Sequence, residues 1–413
     1  MEESNPAKKE EEEEEKKKAG TTNLPAAAAV PAVLTDDLIV EILSRVPARS
    51  VHRFKCVSPS WRDLIADPGN RKKLPQTLAG FLYDTYHRVN PDVREFHFAS
   101  VSATAGAAPP VDPSLPFLPR DEHHLYVAHV DTCNGLLLCL AHMAPASSPS
   151  STDMVESHYV VCNPATARWV DLPPHPKAPA SVMARLAFDP AVSPHFHVLQ
   201  FAKTDQEECI TGVDIYSSRT GAWNRRETTR SVEKFNLYFD ATSVFFRGML
   251  HLLGWLQPMN LEADVDAVLV AVDMDGQVWE TMRVPSRGIS FGKIGLSQGC
   301  LHYATTPLGD VGRNTVIASV WYMKDYDSKE WVLKHTVCKN ELGGITSVDY
   351  KVAAIHPDCD TIFLDSCEVD ILASYDMQRR EFRHIRHLEK YMACVFLPYV
   401  PFFSDSLAGA DGQ

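Results

Sequence analysis

At 413 residues, 45% apolar and with a net charge of −13, the chain is long enough for one large core and a small one. It is too acidic to offer phosphate a domain-wide basic surface, which disfavours nucleic-acid binding. Without residues 1–18, which hold eight acids and five lysines, 45 acids still face 35 bases.

Residues 1–30 carry charge blocks and then Ala and Pro, with almost nothing to bury, and read as a disordered tail. Lys16-Lys17-Lys18 reads as a solvated charge run rather than a nuclear-import patch. Six glutamates, Glu10 to Glu15, precede the Ala-rich run Pro25 to Leu34, the opposite of a signal peptide's basic start. The longest uncharged stretch, Thr132 to Thr152, is broken by Asn134, Gly135, His142 and Pro145, so no membrane span is expected.

Residues 34–68, LTDDLIVEILSRVPARSVHRFKCVSPSWRDLIADP, predict three short helices. Leu38, Ile39, Ile42, Leu43 and Val46 form one apolar stripe, with Thr35 as cap, Asp36 and Asp37 in the first turn, and Pro47 as the stop. A second helix starts at Ser50 with Val51 and Phe54 inward. The third has Ser58 as cap, Pro59 at its first position, and Trp61, Leu64 and Ile65 on one face before Asp67-Pro68. Helices this short cannot bury their stripes on one another alone, so the unit needs a partner surface or a following domain.

The segment resembles an F-box: an opening Leu with an acidic pair, the LIVEILSRVP helix, the RFKCVSPSW core and the closing LIADP. One departure is Thr35, where the family usually has proline; a capping threonine is a reasonable substitute. The resemblance implies docking onto the Skp-type adaptor, and through it the cullin, of SCF (Skp–cullin–F-box) ubiquitin ligases. It assigns adaptor contacts to Leu34, Leu38, Ile42, Leu43, Val46, Pro47, Val57 and Trp61.

The remainder repeats. Trp169, Trp223, Trp279, Trp331 and Phe382 are separated by 54, 56, 52 and 51 residues. Six residues before each stands a turn former: Asn163, Ser217, Asp273, Asp325 and Asp376. An apolar stretch precedes each turn and a shorter one follows, the pattern of strand, tight turn, strand. A further strand recurs upstream, in NGLLLC (134–139), HFHVLQF (195–201), RGMLHLLG (247–254), QGCLHYAT (298–305) and CDTIFLDS (359–366). An antiparallel unit repeating about every 50 residues is a propeller blade, and Phe81 to Phe403 has room for about six. FLYDTY (81–86) and REFHFASV (94–101) supply the first blade. The last strand, ACVFLPYV (393–400), is placed to pair with it and remove an aggregation-prone edge.

The recurring aromatics are read as inter-blade packing, and Gly135, Gly248 and Gly299 as turn or close-packing positions. The wording of CNGLLLC, VCNPATARWVDLPP, VDIYSSRTGAW and RGMLHLLGW resembles the F-box-associated, kelch-like domain behind F-boxes in plant proteins. The expected organisation is a disordered tail (1–30), an all-α F-box (31–75), an all-β propeller of about six blades (78–405), and a short disordered end (406–413).

Catalytic constellations are weak. His195 and His197 share a strand face but have no third ligand, His123-His124 and His384/His387 fare no better, and no GxSxG, HExxH or phosphate loop occurs. No metal or cofactor is expected. Ten cysteines without a CxxC pair, and no Asn-x-Ser/Thr sequon, point to a reducing compartment, cytoplasm or nucleus. The leading expectation is a non-catalytic substrate receptor; a scaffold that captures a partner without degrading it is the alternative. A propeller enzyme would need a convergent cluster that the sequence does not show.

The turns before the aromatics are uniform, whereas the connections near 140–158, 202–210, 255–266, 306–314 and 367–369 vary in length and share the opposite face. Candidate substrate contacts on that face are Trp255, Gln257, Met259 and Asp264, with Lys203, Asp205, Asp310 and Arg313 in neighbouring loops.

Overall fold

A computed structural model of the chain describes residues 34–46, 50–51, 54, 57–67, 70, 73–74, 78–86, 94–101, 111–119, 124–143, 156–175, 183–204, 207–228, 233–238, 242–256, 267–285, 290–307, 316–342, 350–366, 369–388, 395–404 and 407–408. Helix α1 (Asp36–Ser44) begins where Thr35, in extended backbone, accepts a hydrogen bond from the Leu38 amide, with Asp36 and Asp37 in the first turn. Helix α2 (Pro59–Ala66) begins likewise: Ser58 Oγ accepts from the Trp61 amide at 3.2 Å and Pro59 opens the first turn. Between them Ser50, Val51 and Phe54 are helical. Ile39, Leu43, Val51, Ile65 and Leu74 form one small core, with Val46, Phe54, Trp61 and Leu64 packed against it.

The strands that follow form six antiparallel sheets, the blades of a β-propeller. Blade 1 opens with β1 (Gly80–Tyr86) and β2 (Arg94–Ser100). Blade 2 is β3 (His124–Cys133), β4 (Leu136–Met143), β5 (Glu156–Asn163) and β6 (Arg168–Asp171). Blade 3 is β7 (Ala184–Ala187), β8 (His197–Thr204), β9 (Glu207–Ser217) and β10 (Ala222–Glu227). In blade 4 two short pieces, β11 (Phe235–Leu237) and β12 (Val244–Phe246), share the edge of β13 (Met249–Leu256), which continues to β14 (Ala267–Asp273) and β15 (Trp279–Arg283). Blade 5 is β16 (Ser290–Ser297), β17 (Cys300–Pro307), β18 (Val316–Asp325) and β19 (Glu330–Cys338). Blade 6 is β20 (Lys351–Ile355), β21 (Thr361–Ser366), β22 (Ile371–Asp376) and β23 (Glu381–His387). Finally β24 (Leu397–Tyr399) returns to β1, Leu397 opposite Leu82 and Tyr399 opposite Gly80, and closes the ring as expected.

The repeat has a local cause. At the end of the third strand Asn163, Asp273, Asp325 and Asp376 accept amide hydrogens of the following turn on a side-chain oxygen, and Ser217 does so through its carbonyl. In blades 2, 3, 5 and 6 the fourth turn residue is left-handed (Ala167, Gly221, Lys329, Arg380), which reverses the chain two residues before the aromatic. The sequence pattern had three strands per unit; the structure adds an inner one before each, β3, β7, β11 with β12, β16 and β20. The turns from this inner strand include Asn134-Gly135, Arg247-Gly248 and Gln298-Gly299, both residues of each at positive φ, the type I′ geometry of two-residue hairpins. Gly135 has a second reason to be glycine, since a Cβ there would lie 2.3 Å from Phe402 Cβ.

Six apolar clusters fill the seams between neighbouring blades, and each recurring aromatic packs at the seam with the blade before it. Trp169 meets the blade 1–2 cluster, Trp223 the 2–3, Trp279 the 3–4, Trp331 the 4–5 and Phe382 the 5–6. Only Trp279 of the five is buried; the others are half-buried. Past β24 the chain continues over blades 2 and 3. There Asn163 Nδ2 donates to the carbonyls of Phe402 (2.7 Å) and Ser404 (3.1 Å), and Phe402 and Leu407 sink into the seam.

One seam is sensitive to acid. His251 on β13 is fully buried; its Nδ1 lies 3.2 Å from the Val244 carbonyl and its Nε2 2.7 Å from the Tyr326 hydroxyl of blade 5. A carbonyl only accepts, so Nδ1 carries the proton and Nε2 accepts from Tyr326. Burial lowers the His251 pKa to about 4. The folded state therefore binds this proton less readily than the unfolded chain: the stability is present above pH 6.5 and lost as pH falls toward 4. His251→Gln, which cannot titrate, should be less stable than the parent at pH 7, and that gap should narrow by about 2 kcal/mol at pH 4.5 in urea unfolding. A gap independent of pH would contradict the assignment.

Candidate functional site

Helix α1 is apolar on two sides. Ile39, Val40 and Leu43 are buried, while Leu38 and Ile42, one turn apart, stand 53% and 48% exposed. Leu34 (48%), just before the cap, and Val57 (60%), in the turn ahead of α2, are exposed as well. Among the described residues seven large apolar side chains are this exposed, and these four belong to the small helical unit, marking it as a surface that expects a partner. Beside it Asp36, Asp37, Asp63 and Asp67 line an open acidic groove between α1 and α2.

The expected docking residues divide accordingly. Leu34, Leu38, Ile42 and Val57 face outward, and Val46 and Trp61 are half-buried against the helical core. Leu43 requires a correction: fully buried in that core, it supports the surface and is not part of it. Pro47 lies outside the described residues.

On the propeller, Gln257, Met259, Asp264, Asp205, Asp310 and Arg313 also lie outside the described residues. Lys203 and Trp255 are corrected from loop to strand. Lys203 sits in β8 opposite Ile210, and Trp255 in β13 opposite Ala267, half-buried with its ring 4.9 Å from that of Tyr238. Trp255 stands near the end of β13, ahead of the connection to β14, but only residues 205–206 separate β8 from β9, so the connection expected near 202–210 is corrected to strand for most of its length.

The chemistry candidates do not converge. His197 is in β8, its pKa lowered by burial, while His195 lies in the preceding coil with Nδ1 3.4 Å from Ser218 Oγ. The His384 and His387 rings lie side by side on β23, 4.6 Å apart. Among the described residues no group of three His, Cys, Asp or Glu is placed to hold a metal, and no helix is long and apolar enough to cross a membrane.

One buried acid escaped the sequence reading. Asp131 on β3 is 2% exposed, and its Oδ2 accepts from the Leu186 amide of blade 3 (2.9 Å) and the Ser243 hydroxyl of blade 4 (2.7 Å), tying three blades together near the axis. Burial pushes its pKa up, against the opposing charge of Arg185. Its only signal in the sequence is a lone acid in an otherwise uncharged run.

Residues 113–400 match the family described as F-box protein At3g26010-like, beta-propeller, and residues 33–73 match the F-box domain. The chain is 27% identical over 318 residues to F-box protein At5g07610 of Arabidopsis thaliana, covering 73% of this chain and 70% of that protein. Against F-box protein At5g49610 of the same plant it is 24% identical over 349 residues, 80% of this chain and 84% of that one. F-box protein At3g49450, also of Arabidopsis thaliana, is 60% identical over 35 residues, 8% of this chain and 9% of its own. A solved puromycin hydrolase covers 69% of this chain and 42% of its own at 14% identity with a TM-score of 0.40, a likeness too slight to carry an argument.

Proposed function

Because this chain belongs to the plant F-box proteins with a C-terminal β-propeller, we propose that it is the substrate-recognition subunit of an SCF-type ubiquitin ligase. The F-box docks the Skp-type adaptor, and through it the cullin, while the propeller captures a protein for ubiquitination. The observation that carries this reading is the exposed apolar surface of Leu34, Leu38, Ile42 and Val57, a patch that costs free energy in water until a partner covers it. Ubiquitin transfer needs no nucleophile on such a subunit. The seven described cysteines are all free, in keeping with work in the cytoplasm or nucleus.

The substrate is assigned to the face of the variable connections, where Trp255 leads out of its strand. Affinity capture with mass spectrometry under proteasome inhibition tests the reading, comparing the intact chain with one lacking residues 34–68. Substrates should be captured by both, accumulate with the truncated form, and live longer in cells that carry only that form. A captured partner whose half-life ignores the deletion, with adaptor loss confirmed, would replace the ligase reading with that of a scaffold.

A further inference from the structure

Inner strands of neighbouring blades meet around the axis, β24 against β3, β3 against β7, β12 against β16 and β16 against β20, and they leave a pocket of about 140 Å³ that opens to solvent. Five of the six blades wall it: Pro398 and Val400 from blade 1, residues 132–134 from blade 2, 242–245 from blade 4, 294–296 from blade 5 and 353–357 from blade 6. Most of these stand at the C-terminal ends of their inner strands. Strand direction alternates within a blade, so the pocket lies toward the face of the tight turns, away from the variable connections.

The polar side chains of the wall are acceptors toward a guest. Ser243 Oγ donates to Asp131 (2.7 Å), Thr132 Oγ1 to the Pro398 carbonyl (2.8 Å) and Asn134 Nδ2 to the Phe188 carbonyl (2.7 Å). A hydroxyl has one hydrogen, so Ser243 and Thr132 keep only lone pairs, and Asn134 keeps its amide oxygen. The rest is mostly apolar, with Phe245, Ile294, Leu296 and Ile355. Such a wall suits a short aliphatic stem tipped by a group that only donates. Alcohols, amides and carboxylates carry acceptors of their own, whereas an ammonium carries three donors and no acceptor. The net charge of −13 attracts cations, and an open mouth spares the charge full desolvation.

We propose that the axial pocket binds an alkylammonium group, a primary amine on an unbranched stem of about four carbons. A lysine side chain of a partner and a free small amine share this chemistry. Either touches several blades at once, including the residues flanking β24, so it binds the closed ring and stabilises it by linkage. The site is separate from the helical docking surface and from the substrate face, and its test is independent of the ligase reading.

n-Butylammonium chloride titrated into the full chain is the probe, followed by saturation-transfer NMR and thermal unfolding, with n-butanol and butanoate as controls of the same length. Saturable binding of butylammonium is expected, about tenfold tighter than either control. It should persist in about 0.5 M salt, which screens exposed surface charge. Ala354→Leu narrows the pocket from blade 6 and should weaken butylammonium about tenfold; Val244→Phe does so from blade 4 if the first variant fails to fold. Thr242→Asp adds a carboxylate to the wall and should tighten binding severalfold, a readout that needs neither filled variant. Nα-acetyl-lysine amide distinguishes the sources: binding equal to butylammonium identifies a side chain presented by a partner, and rejection identifies a free amine. Absence of saturable binding to the parent chain, butanol bound as tightly as butylammonium, or equal affinity in a folded filled variant would each overturn the proposal.

Discussion

Trp279→Ala should destabilise the propeller by about 3–5 kcal/mol, the range for removing a large buried ring. The indole is 7% exposed in the seam between blades 3 and 4, its centroid 6.1 Å from Phe201 and 5.8 Å from Phe235, and its Nε1–H donates to the Gly276 carbonyl. Truncation leaves a void walled by two sheets that cannot collapse without moving the ring. That loss is a large share of the about 5–15 kcal/mol that holds a typical domain together, so soluble yield should fall with the melting midpoint. Trp331→Ala, at a half-buried ring in the adjacent seam between blades 4 and 5, should cost visibly less. Equal midpoints for the parent chain and Trp279→Ala would show that this seam is not packed as described.

Leu38→Asp with Ile42→Asp should abolish capture of the Skp-type adaptor while leaving the helical unit folded. Each side chain is about half exposed in the free chain, so a carboxylate there is solvated until an apolar partner must cover it. A central interface position costs at least about 2 kcal/mol, about thirtyfold in affinity, and two of them take binding out of the range of a pull-down. Leu43→Asp should fail differently: it places a charge in the core of Ile39, Val51 and Ile65 and should unfold the unit. Limited proteolysis separates the two outcomes. Cleavage within 34–74 should match the parent for the double variant and increase for Leu43→Asp. Adaptor binding by a folded double variant would remove the docking surface from Leu38 and Ile42.

The blade period was legible because it is local chemistry. An acceptor at the strand end, a left-handed residue four positions on and an aromatic two further mark a hairpin wherever they recur, as at Asp325, Lys329 and Trp331. Ring closure was legible because a strand near residue 397 had no other sheet to join. Inner strands as short as Ala184–Ala187 and Phe235–Leu237 were not, since they carry no alternation to read. Periodicity also could not divide α1. Ile42 and Leu43 are adjacent members of one broad stripe, and only packing reveals that Leu43 turns to Val51 and Ile65 while Ile42 turns to solvent. Trp255 was displaced for another reason: Gly254 reads as the end of its strand, whereas β13 runs through it to Leu256.

Blade 1 is built from both ends of the propeller, and this sets an order of events during synthesis. β1 and β2 leave the ribosome first, yet β24, which pairs with β1, emerges only after all five other blades. Until then Gly80, Phe81 and Leu82 present an unpaired backbone edge, the kind of strand that recruits other chains. A premature stop after β2 but before Val395 would fix the molecule in that unfinished condition, its F-box already made and its ring permanently open. If the F-box docks the adaptor as proposed, such a product would occupy it without a closed scaffold behind, competing with intact receptors.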